Sequence, residues 1–318
     1  MNAILALSAS HLSLCHPSDP CDDATDAIHY RDECIKGLIP ALDNPSTALN
    51  NVLPSSTVIL HLHEMLSPEA DREQHLRGTS VLFNHNRTNI EFRALKRTAF
   101  WTYVREEIQV ALAQRRPTRI RTSDWNTIIV WEGDFDYVRT NQITWLAAET
   151  VNYVCGDDVK ADSDRWHSLQ HDIDHWKRTL PETFQPLYVL PSKDAFPHIS
   201  YLSSWHVVGV QFYLLLKTLL ALRDPRQPPG LDLLSFAHSV ESEILSYTHH
   251  LCGMVRTLGG KHPGALVNAV QPLVVCGRSL RWLSEQEELV HILENIECNT
   301  AWSTVEAIRA LRDAWGTP

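Results

Sequence analysis

The chain has 318 residues, 44% of them hydrophobic, and its 28 Lys and Arg against 38 Asp and Glu leave a formal net charge of −10. That length can bury a substantial core, while the acidic balance excludes a general attraction to nucleic acid or anionic lipid, so any such partner has to be met by a local basic patch. The seven cysteines, Cys15, Cys21, Cys34, Cys155, Cys252, Cys276 and Cys298, are odd in number and scattered, which argues against a disulfide framework and for a reducing compartment.

The opening MNAILALSASHLSLCHPS lacks a positive n-region and soon reaches His11. It reads as a buried first helix over AILALSASHLSL rather than as a secretory signal. A polar loop at HPSDPCDD leads to ATDAIHYRDECIKGLIPAL, where Ile28, Cys34, Ile35 and Leu38 fall near one helical face. NPSTALNNVLPSSTVILHLHEML predicts a Pro-interrupted helix pair, and DREQHLRGTSVLFNHN predicts another helix.

SDWNTIIVWEGDFDY is ambiguous, since TIIVW fits a short strand while Asn126 and Gly133 fit a loop. TNQITWLAAETVNYVCG returns to helix and stops at Gly156. In SDRWHSLQHDIDHWKRTLPETFQPL, Trp166, Leu169, Ile173, Trp176 and Leu180 form one stripe opposite His167, His171 and His175, and Pro181 ends the helix.

WHVVGVQFYLLLKTLLAL, Trp205 to Leu222, is apolar on nearly every side. With His206, Gln211 and Lys217 it falls short of a bilayer span and reads as a central core helix. RDPRQPPGLD is the strongest loop. After it come LLSFAHSVESEILSYTHHLCGMVRTL, a break at GGKHPG, then ALVNAVQPLVVCGRSLRWLS, EQEELVHILENIECNTAW and STVEAIRALRDAWG. Little alternates with a period of two, and no composition shift marks a linker. The expectation is an all-α chain forming a single large domain, residues 1–318, of antiparallel packed helices.

Chemical motifs are sparse. His167, His171 and His175 have the i, i+4, i+8 spacing that can grip a metal, but they lie opposite a buried stripe beside Asp172 and Asp174 and are expected to be solvated. HLHEMLS resembles a zincin helix until the second ligand position after His63 and Glu64, which is Ser67. GMVRTLGGKH lacks the spacing of a phosphate loop, and His262 stands where a Ser or Thr is required after Lys261. Cys15, Cys21 and Cys34 are too widely spaced for a zinc module. No nucleophile elbow is present, and no cysteine has a nearby base to mark it as a nucleophile. No catalytic, cofactor-binding or metal-ligating residue is assigned, and an enzyme is not expected.

RTAFWTYVREEIQVALAQRRPTRIR, residues 97–121, concentrates charge: from Arg93 onward it adds Lys96, Arg97, Arg105, Arg115, Arg116, Arg119 and Arg121 against Glu106 and Glu107. On a helical wheel Trp101, Val104, Ile108, Ala111 and Leu112 cluster, while Lys96, Glu106, Glu107 and Gln114 are expected to face water. Arg97 projects onto the apolar stripe and Arg105 onto its margin. A buried guanidinium there needs an acid or an aromatic ring. Arg97, Trp101 and Arg105 are therefore the residues singled out for a structural or binding role, with an internal pairing favoured over a nucleic-acid contact.

RGTSVLF, FWTYVREEIQVAL followed by RP, WHSLQHDIDHWKRTLPETFQPL, FPHISYLSSWHVVGVQFYLLLKTLLAL, HHLCGM and the final AW together resemble the fungal-specific transcription factor domain. This is the helical regulatory region of fungal binuclear-zinc-cluster transcription factors. The resemblance runs in order from ILALSASHLSL to ALRDAWG. It implies an all-helical regulator of pathway or secondary-metabolite genes, located in the nucleus and acting through partners of the transcription machinery, a full-length family member or a small effector. Family members usually begin with a six-cysteine zinc cluster, and no cluster cysteines are found here onto which zinc or DNA contacts can be carried over. Zinc is thus expected only in a missing N-terminal module, direct DNA binding and a membrane are not expected, and the alternatives are a helical tailoring enzyme or a nucleic-acid binder through Arg93–Arg121.

Overall fold

The computed structural model describes residues 1–15, 23–42, 52–66, 73–85, 94–125, 128–129, 131–156 and 162–316. Cys21, Ser67, Arg93, Asn126 and most of the HPSDPCDD loop lie outside the described residues. The described chain is all-α apart from one short ribbon. Its helices are α1 (Asn2–Cys15), α2 (Asp23–Leu42), α3 (Val52–Leu66), α4 (Gln74–His85), α5 (Ala94–Gln114), α6 (Asp136–Cys155), α7 (Ser163–Arg178), α8 (Ser204–Leu222), α9 (Asp232–Leu258), α10 (Pro263–Gly277), α11 (Leu283–Thr300) and α12 (Val305–Trp315). The strands are β1 (Tyr188–Leu190) and β2 (His198–Ser200). The chain divides into two compact units, one holding residues 1–107, 119–129 and 300–303, the other holding residues 108–118, 130–299 and 304–318. Helix α5 contributes residues to both.

In the first unit α1 packs against α2 and α3, and α3 against α4. Helix α1 buries its small residues Ala3, Ala6 and Ala9, which lets backbones approach closely, while Ile4, Leu5, Leu12 and Leu14 stay exposed. The expected buried first helix is therefore buried on its alanine face only. Phe83, Phe100, Tyr103 and Trp125 form the aromatic centre, with Phe100 and Trp125 rings 4.6 Å apart and Phe83 edge-on to Phe100 at 5.3 Å. Of the ambiguous TIIVW segment, Thr127 and Val130 lie outside the described residues, while the Ile128 and Ile129 amides turn back to donate to the Trp125 carbonyl at 2.9 and 3.0 Å.

The second unit is built on α8, which packs against α6, α7, α9 and α10. Helix α8 is the one described helix long and apolar enough to cross a membrane, and 72% of its apolar window is buried inside the unit, as a core helix requires. Its Gln211 is matched internally. The Gln211 amide donates to the Ala265 carbonyl at 2.9 Å and accepts from Asn268 at 2.8 Å, while Gln109 donates to the Asn268 carbonyl at 2.9 Å. This chain of buried amides links α5, α8 and α10.

Helix α7 buries Trp166, Leu169, Ile173 and Trp176 and exposes His167, His171 and His175, as its periodicity requires. Asp162 caps it by accepting from the Asp164 and Arg165 amides, both at 3.0 Å. The ribbon pairs Tyr188 with Ser200 and Leu190 with His198 antiparallel, and β2 packs on α9. Three-residue strands are too short to show a period of two, so the sequence pattern missed them. Gly253 of α9 permits this docking, because a Cβ there would stand 2.3 Å from the Pro197 carbonyl oxygen. The segment ALVNAVQPLVVCGRSLRWLS, read as one unit, breaks after Gly277, and α11 starts at Leu283.

Candidate functional site

The basic segment does not form a continuous stripe. Among its described residues Arg97 is exposed, which corrects its placement on the apolar stripe: it stands in the first turns of α5, before the helix is enclosed. Trp101 is buried as expected and stacks edge-on to Phe100. Arg105 is half-buried and donates to the Trp101 carbonyl at 3.3 Å. Burial pulls its guanidinium down to about 10 against the opposing charge of Glu106.

From Ala99 to Leu112 nearly every residue of α5 is buried. Glu106 and Glu107, expected to face water, are 8% and 0% exposed. A helix enclosed on all sides has no solvent face, so its acids must find partners inside. Glu107 accepts from the Arg119 amide at 2.8 Å and from its guanidinium at 3.1 Å, and Arg119 also pairs with Glu73. Arg119 thus serves as an internal counter-ion.

Glu106 belongs to a second buried group built on α3. His61 is fully buried, 3.8 Å from Glu64 and 3.7 Å from Glu106. Those distances exceed hydrogen-bond reach, so the attraction is coulombic. Burial alone would lower the His61 pKa, but the two carboxylates prevail and push it from 6.5 up to about 9. Burial works the other way on Glu64, which its histidine neighbours His61 and His75 nevertheless pull down from 4.5 to about 2. The His75 ring sits 2.6 Å from that carboxylate. His63, on the same helix, is lowered by burial and by Arg31. The three ionisable residues in an otherwise apolar HLHE stretch were the available signal for this network. Among the described residues no His, Cys, Asp and Glu cluster fits a metal ion.

The second unit holds a cleft of about 770 Å³, floored by apolar side chains of α5, α8, α10 and α12 and bordered by Arg115, Arg223 and Arg278. Arg115 stands at its rim because of how α5 ends. The Arg116 amide donates to the Ala111 carbonyl at 3.0 Å and the Arg115 amide to the Leu112 carbonyl at 3.2 Å, which is a Schellman motif. The pivot of that motif takes left-handed backbone and normally holds glycine, whereas here Arg115 occupies it at φ 53°. Arg223 caps α8, and Arg278 caps α10. Cys155 lies in the same lining, but burial raises its thiol pKa despite the nearby Arg223, so it is no ready nucleophile.

A smaller cleft of about 490 Å³ lies between α9 and α11. Its arginine is neutralised: Arg256 pairs with Asp194 at 3.1 Å and Glu288 at 3.3 Å.

Residues 1–129 match the family model described as the fungal specific transcription factor domain. The chain is also similar to the transcription activator AMTR1 of Alternaria alternata, at 22% identity over 321 residues, covering 80% of this chain and 41% of that protein. The chain thus spans about two fifths of the length of the curated relative it matches. No solved structure matches. The family match over residues 1–129 and the activator similarity over most of the chain thus both liken it to fungal transcriptional regulators.

Proposed function

We propose that the chain is the regulatory part of a nuclear regulator of pathway or secondary-metabolite genes, acting through protein partners or a small effector. The observation that carries this reading is the activator similarity over 80% of the chain. An all-helical body supports it, as does the apolar face of α1, where Ile4, Leu5, Leu12 and Leu14 are exposed together; such faces mark contact surfaces on soluble proteins. Partners of the transcription machinery, or a full-length member of the family, are the expected occupants.

The test is a promoter reporter driven by the chain fused to a foreign DNA-binding module. Altered expression under at least one inducing condition supports the reading, and unchanged expression in every condition with intact nuclear protein counts against it. The nucleic-acid alternative is disfavoured because Arg119 is engaged by Glu73 and Glu107 and Arg105 by the Trp101 carbonyl. A steep salt-dependent affinity of the isolated chain for duplex DNA would revive it.

A further inference from the structure

We propose that the cleft of the second unit binds a small amphipathic carboxylic acid, its carboxylate held by Arg115, Arg223 and Arg278 and its apolar body lying on Leu219, Val274 and Ala307. This rests on the effector-responsive reading above and names the chemical class of the effector.

The volume of about 770 Å³ falls in the range of small-molecule sites, which are mostly apolar with few, well-placed polar groups. The three arginines of the lining carry one sign of charge. In a chain of net charge −10, Arg119, Arg139 and Arg256 are all paired with carboxylates. Among the described residues Arg115, Arg223 and Arg278 make no ion pair. Glu306, the acid in the lining, is taken by Arg309 at 2.8 Å.

Like charges brought together without counter-ions repel. Burial and the charge of Arg115 both lower the Arg278 pKa. The Arg223 Nε is buried without a hydrogen-bond partner, a condition native proteins seldom leave unexplained. Arg115 is kept at a left-handed position where glycine is the low-energy residue. A planar carboxylate accepts two parallel bonds from a guanidinium, would offset the repulsion and satisfy the orphaned Nε, and gives a reason for a charge to stand where glycine would be less strained. The floor then selects an acid with a hydrocarbon body over a small polar one.

The experiment titrates the purified full chain with the fluorescent fatty-acid probe dansylaminoundecanoate and, in parallel, with its neutral methyl ester. Saturable binding of the acid, displaced by dodecanoate and at least tenfold tighter than the ester, is expected. Arg223→Gln and Arg278→Gln should each weaken the acid by about tenfold, as for a lost charge-assisted hydrogen bond, while the exposed Lys261→Gln leaves it unchanged. Arg115→Gly guards against misfolding, since it removes the charge at a position that favours glycine; it should keep the fold, read by circular dichroism, and weaken the acid.

No saturable binding, equal affinity for acid and ester, or undiminished binding in all three arginine variants overturns the proposal. Stronger displacement by dodecyl phosphate than by dodecanoate overturns the carboxylate assignment. Binding that follows the arginines while the fused reporter stays silent supports the site and counts against the regulatory reading instead.

Discussion

The buried His61 ring stands 3.7 Å from the Glu106 carboxylate, joining α3 to α5 through charge rather than through apolar packing. With Glu64 on its other side at 3.8 Å, His61 is held as a cation. Its pKa is raised from 6.5 to about 9, so its contribution is fully present below about 6.5 and is lost as pH rises through 9. Glu64 is lowered from 4.5 to about 2, so its contribution is present above 4.5 and lost as pH falls through 2. Thermal unfolding followed by tryptophan fluorescence should therefore show an alkaline loss of stability centred on the His61 titration. His61→Gln should flatten that limb and cost about 3 kcal/mol at neutral pH, by taking the cation from buried Glu106 and leaving Glu64 to His75 alone. A variant that kept the wild-type alkaline slope would contradict this assignment.

Glu107 and Arg119 give a second test. Glu107 is fully buried, whereas Arg119 keeps 28% of its side chain exposed. Removing the acid by Glu107→Ala leaves the partly hydrated Arg119 to Glu73 alone, and the expected cost is about 2 to 3 kcal/mol, below that of a sealed, singly paired ion. The urea midpoint reports it, and raising the salt concentration should change the difference little, because the pair is mostly enclosed.

Arg115→Gly should make the chain more stable. Relief of the left-handed strain is worth about 1 kcal/mol, offset in part by the greater freedom of glycine in the unfolded chain. A shift of the urea midpoint upward with unchanged slope is the expected result. A clear loss of stability would show that Arg115 contributes to the fold beyond its helix end.

Gly253→Ala should destabilise the second unit by about 1 to 3 kcal/mol through overpacking, because the added methyl meets backbone at Pro197 rather than a flexible side chain. Hydrogen exchange localises the effect: the Ile199 amide, which donates to Thr257 at 3.1 Å, should lose protection first as β2 lifts from α9.

How far the sequence could be read depended on whether an element had a wet face. Helix α7 has one, so the spacing of Trp166, Leu169, Ile173 and Trp176 located its buried side. Helix α5 has none over most of its length. The wheel therefore sent Glu106 and Glu107 outward and Arg97 inward, the reverse of their burial. On α3 the sequence pattern at His63 and Glu64 points to a zincin helix and fails at Ser67, whereas a charge in an apolar helix also signals an internal counter-ion. The arginine cleft was not legible at all. Its three cations come from the ends of α5, α8 and α10, more than a hundred positions apart in chain order between the first and second, and no spacing rule connects them.

Helix α5 runs without interruption from Ala94 to Gln114, while the residues it supplies to the second unit begin at Ile108. Dissection of this protein should take account of that. A fragment cut where the family match stops, at residue 129, would carry away Ile108, Ala111 and Leu112, all buried, and would part the Gln109 amide from the Asn268 carbonyl. Loss of activity in such a truncation would report two damaged folds rather than the location of a function, so interaction mapping here calls for point substitutions in the intact chain.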